Sequence, residues 1–166
     1  MKTIKIVKMV VEMINNFRSQ LAFGHSNEEK AMKYIKEHFG NQIESIQFIE
    51  YNKKDNRKQQ LYGDIEVKTT GGRTKYYEVK SRRKHDNCFC FEIDENKKLK
   101  TKYVDYYIFI IPDYPIMVVD YFEFLAVYDE LAKNKPVRYV PDGEPVIFLP
   151  IDEVFKALNE LNGVVA

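Results

Sequence analysis

Residues 60–81 constrain the fold more than any other stretch. Two runs of alternating apolar and polar residues, 60–69 and 73–81, flank Thr70-Gly71-Gly72. Period-two alternation predicts two strands, and a short glycine-rich gap predicts a hairpin between them. Leu61, Gly63, Ile65 and Val67 share one face, and Asp64, Glu66 and Lys68 share the other. On the second run Glu78 and Lys80 point the same way, while Tyr77 and Val79 face the core. Register decides which side chains meet. A two-residue Gly71-Gly72 loop pairs Ile65 with Glu78 and sends Asp64 to the wrong face. A three-residue loop pairs Thr69 with Arg73, and hence Asp64 with Glu78, with Gly72 at the left-handed position. We expect the longer loop. Two carboxylates then stand with Cβ atoms about 5 Å apart and repel unless something cationic lies between them.

The rest of the chain reads as mixed α/β. Ile6, Met9, Val10, Met13, Ile14, Phe17 and Leu21 form a helical stripe over 2–22. Gly24 is expected to break it. Ser26 then reads as an N-cap, with Glu29 completing a capping box for a second helix that ends near Phe39 and Gly40. Strands are expected at 43–51, 88–93, 104–111 and 116–119, and helices at 94–102, 120–133 and 151–162. A loop is expected at 52–59, and a hairpin at 137–149 around Pro141-Asp142-Gly143. The 166 residues suit one domain and bury enough surface to fold without disulfides. Cys88 and Cys90 would sit on one strand face with Cα atoms roughly 7 Å apart, so packing thiols are expected. No run of about 18 apolar residues occurs, which excludes a helical membrane span, and the charged N-terminus carries no leader pattern, so a cytoplasmic location is expected.

The net charge of +1 hides an asymmetry. Residues 51–102 hold fifteen basic and eight acidic groups, whereas 103–166 hold four basic and eleven acidic ones. The middle is a candidate surface for a polyanion. Its cations lie in 53–58 (Lys53, Lys54, Arg57, Lys58), in 80–84 (Lys80, Arg82, Arg83, Lys84) and in 97–102.

The expected acid pair suggests a chemistry. Two carboxylates, a backbone carbonyl and waters suit Mg²⁺, with Mn²⁺ as a substitute. Lys80 beside them could orient a water or neutralise charge growing on a phosphate. Metal-assisted phosphodiester hydrolysis uses such parts.

Asp64 followed by Glu78-Val79-Lys80 resembles the PD-(D/E)xK signature of the restriction-endonuclease-like nuclease superfamily, with Gly63 where its proline commonly stands. The resemblance implies an α-β-β-β-α-β core with a central mixed sheet flanked by helices. It would span 26–111 of a single domain, with a helix at 2–22 before it and an α/β extension over 112–166. It implies Asp64, Glu78 and Lys80 as catalytic residues, and Glu28, Asp64, Glu78 and the Val79 backbone as metal ligands. Helical spacing agrees for Glu28, which shares a face with Met32, Ile35 and Phe39. It further implies a DNA substrate, duplex or branched, reached through Lys53, Lys54, Arg57, Lys58, Arg82, Arg83 and Lys84. A homodimer is expected, since cutting two strands needs two sites. Bland roles stand beside these. Glu66 is expected to form a salt bridge, Tyr76 and Tyr77 to pack, and His25, His38 and His85 to serve surface or packing needs. The competing function is a catalytically inactive binding module on the same fold.

Overall fold

The computed structural model describes residues 2–52, 54–82 and 87–162. Helix α1 (Lys2–Phe39) runs through a short 3₁₀ turn into strand β1 (Ile43–Phe48). Helix α2 (Arg57–Tyr62) precedes the hairpin of β2 (Ile65–Thr69) and β3 (Thr74–Ser81). Then come β4 (Cys88–Glu92), β5 (Tyr106–Ile110), β6 (Met117–Asp120) and α3 (Tyr121–Ala132). Strands β7 (Arg138–Tyr139) and β8 (Pro145–Pro150) and helix α4 (Ile151–Leu161) complete the chain. The main sheet has the order β1-β2-β3-β5-β6, and a smaller sheet the order β4-β8-β7. Only the β3–β5 pair is parallel within the main sheet, so the sheet is mixed and the expected α/β class stands.

Strand β5 explains the layering. Its run Tyr-Tyr-Ile-Phe-Ile lacks alternation because both faces are buried. Ile108 and Ile110 pack with Ala31 and Ile35 of α1, and with Ile65, Val67 and Tyr77. Tyr107 and Phe109 point the other way, into a core with Phe89, Phe91, Phe124 and Tyr128. Helices α3 and α4 and the small sheet contribute to that second core. Asp120 starts α3 by accepting from the Phe122 and Glu123 N–H groups, relieving two otherwise unpaired donors.

Three expectations need correction. The two N-terminal helices are one helix of 38 residues, so Ser26 and Glu29 do not cap a new start. Glycine costs a helix only about 1 kcal/mol relative to alanine. Across Gly24 the helix keeps local ties: Asn27 Nδ2 donates to Phe23 O at 2.9 Å, and His25 faces Glu28 at 3.5 Å and Glu29 at 3.9 Å. The helix expected over 94–102 is instead a turn closed by the Ile93–Leu99 bridge. The Asp94 carboxylate takes the N–H groups of Asn96 and Lys98, offering the backbone an alternative to a helix. The loop expected over 52–59 gives way to α2 from Arg57, so the first hairpin strand starts at Ile65 rather than at residue 60. On α1, Ile14 and Leu21 are 46% and 58% exposed.

Candidate active site

The hairpin adopts the three-residue loop. Ile65 stands opposite Tyr77, Val67 opposite Lys75 and Lys68 opposite Thr74, and the Thr69 N–H donates to Arg73 O at 2.8 Å. Gly72 takes φ +78°, the left-handed position expected of it. This register carries Asp64 and Glu78 toward one end of the hairpin, as the alternation requires.

Asp64 is held on several sides just before β2. Its N–H donates to Tyr77 O at 2.9 Å, its carbonyl accepts from Ile49 N at 2.8 Å, and its Oδ2 accepts from Val79 N at 2.8 Å. Gly63 makes this approach possible. Its φ is +84°, and a Cβ there would lie 2.8 Å from Tyr77 O, 2.9 Å from Val104 Cγ1 and 3.0 Å from Glu78 Oε2. Proline, fixed near φ −65°, cannot occupy that conformation. The glycine that departs from the signature is therefore demanded by the backbone.

Glu78 is only 8% exposed. Its Oε1 meets Lys80 Nζ at 2.8 Å, and the same ammonium lies 5.6 Å from the Phe91 ring centre. Val79, between them, is half-buried, and its observed polar contact is the N–H to Asp64. Burial drives the Asp64 carboxyl well above the usual carboxylate range, and the Glu78 and Glu28 charges push the same way. The Val79 N–H and the Lys80 ammonium oppose that rise. Glu28 reaches the cleft from α1. Burial raises its carboxyl too, His25 eases it, and Glu78 adds to the rise. Burial works against the Lys80 charge, but Glu78, Asp64 and Glu92 outweigh it and hold the ammonium above its ordinary pKa. The three acids and the lysine line one polar cleft of about 350 Å³. Among the described residues no three His, Cys, Asp or Glu side chains cluster tightly enough to hold a metal alone.

The cations expected to flank the cleft are partly engaged. Arg57 binds Asp55 through two hydrogen bonds of 2.9 and 3.0 Å, and these hold the Asp55 carboxyl down at about 2. Lys58 reaches Glu66 at 3.3 Å, and Gln47 Nε2 donates to the same carboxylate at 2.8 Å, so Glu66 forms the ion pair expected of it. Lys54 is exposed, and Arg82 Nε donates to Cys88 O at 2.6 Å. Lys53, Arg83, Lys84 and His85 lie outside the described residues. The lysines of 97–102 do not form an open anion surface. Lys97 Nζ donates to the carbonyls of Ala132 and Lys135, Lys98 faces Asp129, Lys100 pairs with Glu144, and Lys102 pairs with Asp94. The acidic C-terminal region thus accounts for three of the four. Cys88 and Cys90 are free thiols, as the spacing implied.

Sequence reasoning passed over several cleft residues. Tyr51, Asn56, Gln59, Gln60, Glu92 and Thr101 line it as well. The amides sit in a stretch whose basic composition reads as a loop, and only the run Asn56 to Gln60, dense in amides, could have drawn notice. Residues 27–118, more than half of the chain, match the family described as protein NO VEIN, C-terminal. No curated protein matches the chain, and no solved structure does.

Proposed function

The chain belongs to the family described as protein NO VEIN, C-terminal, and from that premise we propose that its hairpin cleft is the active site of an Mg²⁺-dependent DNA endonuclease of the PD-(D/E)xK kind. One arrangement carries the proposal: Asp64 and the buried Glu78, joined through Val79, stand beside Lys80 in a polar cleft that Glu28 also enters. Carboxyls whose pKa values burial and mutual repulsion have raised are groups that a cation would relieve. Asp64 and Glu78 with a backbone carbonyl make a donor set of the kind Mg²⁺ takes, since Mg²⁺ commonly binds one or two carboxylates and keeps several waters. Asp64, Glu78 and the Val79 carbonyl would hold it, with Glu28 completing the set through water. When bound, the ion supplies Lewis-acid activation and an acidified water. The protein does the rest. The Val79 N–H fixes the Asp64 carboxylate, Gly63 lets the backbone approach, and Lys80 offers a positive charge to the phosphate oxygens as negative charge builds. The attacking water gives one proton to solvent as its oxygen bonds to phosphorus, and the departing oxygen takes one proton from solvent as its bond to phosphorus breaks. Cutting both strands of a duplex would call for a homodimer.

Cleavage of duplex, branched and single-stranded DNA with Mg²⁺ or Mn²⁺ tests this. Activity should vanish with EDTA, and Asp64→Ala, Glu78→Ala and Lys80→Met should each lower it at least about a hundredfold. A folded protein that cuts no substrate, and whose melting temperature Mg²⁺ leaves unchanged, would overturn the proposal.

A second reading has its own observation. The Lys80 ammonium already neutralises Glu78 at 2.8 Å, so the acid pair is partly satisfied without a metal. A catalytically inactive binding module would need nothing more. It predicts nucleic-acid binding that Lys80→Met weakens and EDTA does not touch.

A further inference from the structure

The cleft opens into a much larger space. A groove of about 1,810 Å³ runs between the middle of α1, strand β1 and residues 50–52, 55 and 57–59. Gly24, Glu28, Tyr51 and Gln59 belong to both spaces, so the two are continuous. The cleft alone is at the lower end for a single small group, whereas the groove exceeds a typical small-molecule site of roughly 300–1,000 Å³. A groove of that size, leading into a site built for one reacting centre, suits a polymer.

The groove's lining indicates which polymer. Tyr51 offers an aromatic face, with Phe48 packed on the His25 ring nearby. Gln59 and Asn52 offer amides, although Asn52 Oδ1 also accepts from the Lys54 N–H and Gln47 Nε2 is taken by Glu66. Tyr51 is 64% exposed. Its place is fixed relative to the acid pair, because Ile49, two residues before it, donates its N–H to Asp64 O at 2.8 Å. The charges tell against a duplex. Among the described lining residues, the cations Arg57 and Lys58 are engaged with Asp55 and Glu66, and the acids Glu28, Glu50 and Asp55 stand beside them. A double helix presents a dense row of phosphates and stacked, hidden bases. An unpaired strand can turn its phosphates outward and lay its bases on aromatic rings and amides.

We propose that this groove carries an unpaired nucleic-acid strand into the cleft, with Tyr51 stacking on the base next to the reacting phosphate and Asn52 and Gln59 meeting base edges. This rests on the nuclease reading for its functional sense, but the binding stands to be measured without it. The favoured substrate is then a single strand, a flap or a splayed end, and not a closed duplex. Affinity comes mainly from stacking, so it depends weakly on salt.

The test is fluorescence anisotropy of the whole protein in EDTA with a twelve-residue oligothymidylate, the matching oligouridylate and a blunt duplex. We expect the single strands to bind more tightly than the duplex, with log K against log salt no steeper than about −1.5, the release of about two counter-ions. Tyr51→Ala should weaken single-strand binding about tenfold or more, and Tyr51→Trp should restore it, as base–aromatic stacking predicts. Gln59→Ala should weaken it without changing the salt slope. Preference between thymidylate and uridylate reports the base methyl and the sugar together. Duplex binding as tight as single-strand binding, or indifference to Tyr51→Ala in a folded protein, would overturn the proposal. Tyr51-dependent binding without any Mg²⁺-dependent cleavage would leave the groove standing and remove the nuclease. Cleavage of duplex with no role for Tyr51 would do the reverse.

Discussion

At Gly63 one hydrogen atom decides whether the site exists. A methyl there meets the Tyr77 carbonyl, Val104 and the Glu78 carboxylate at 3.0 Å or less, in a backbone conformation that side chains rarely adopt. Gly63→Ala should therefore cost about 2–4 kcal/mol, from left-handed strain and overpacking together, readable as a lower denaturant midpoint. Asp64 behaves in the opposite sense. Its carboxyl is raised by burial and by neighbouring acids. A raised carboxyl contributes stability that is whole below its unfolded pKa and is lost as pH climbs through its folded one. Asp64→Asn keeps an acceptor for the Val79 N–H and removes the charge. In EDTA it should melt about 2–4 °C above the parent near pH 8, the equivalent of roughly 1 kcal/mol, with the gap closing toward pH 5. Mg²⁺ should narrow the gap by stabilising the parent alone. The sequence discloses these residues because strand parity is strict and the loop admits few lengths. It does not disclose the local demand for glycine at 63, which arises from atoms on β3 and from Val104, far away along the chain.

The elements show where local signals fail. Gly24, Ser26 and Glu29 resemble a helix boundary, yet the chain continues as one helix, because one glycine costs too little to outweigh the turns on either side. Nothing lies within 4 Å of a Cβ built at Gly24. Gly24→Ala should thus stabilise the protein by about 0.5–1 kcal/mol in a denaturant titration. The turn after β4 failed for a related reason. Asp94 captures backbone N–H groups, which helical periodicity does not register, and Lys97 adopts φ +60°. Strand β5 was legible, since a continuous apolar run stopped by Pro112 leaves few choices, and the structure supplies an apolar layer for each face.

Across the whole molecule, the charge asymmetry resolves into attraction inside the fold. Lys98 and Lys100 pair with acids of the region that follows them, and Lys97 satisfies two carbonyls at and beyond the end of α3. The Tyr128 hydroxyl donates to Lys97 O at 2.8 Å in return. Lys97→Met should speed amide exchange at the C-terminal end of α3 by roughly tenfold or more, the effect of losing charge-assisted bonds of about 1.5–3 kcal/mol. Composition revealed the imbalance but not that Lys98 and Lys100 would meet acids of the C-terminal region, because such pairing depends on tertiary placement. One mechanical consequence remains in α1. At about 1.5 Å per residue its 38 residues make a rod of about 57 Å. Residues Asn27, Ala31 and Ile35 anchor its far half, and Glu28 sits about two turns past the midpoint, where the anchored part begins. The rod is a lever with its fulcrum at the cleft. Because the helix continues through Gly24, a sideways force on the turn at Leu21 would be carried toward the carboxylate wall.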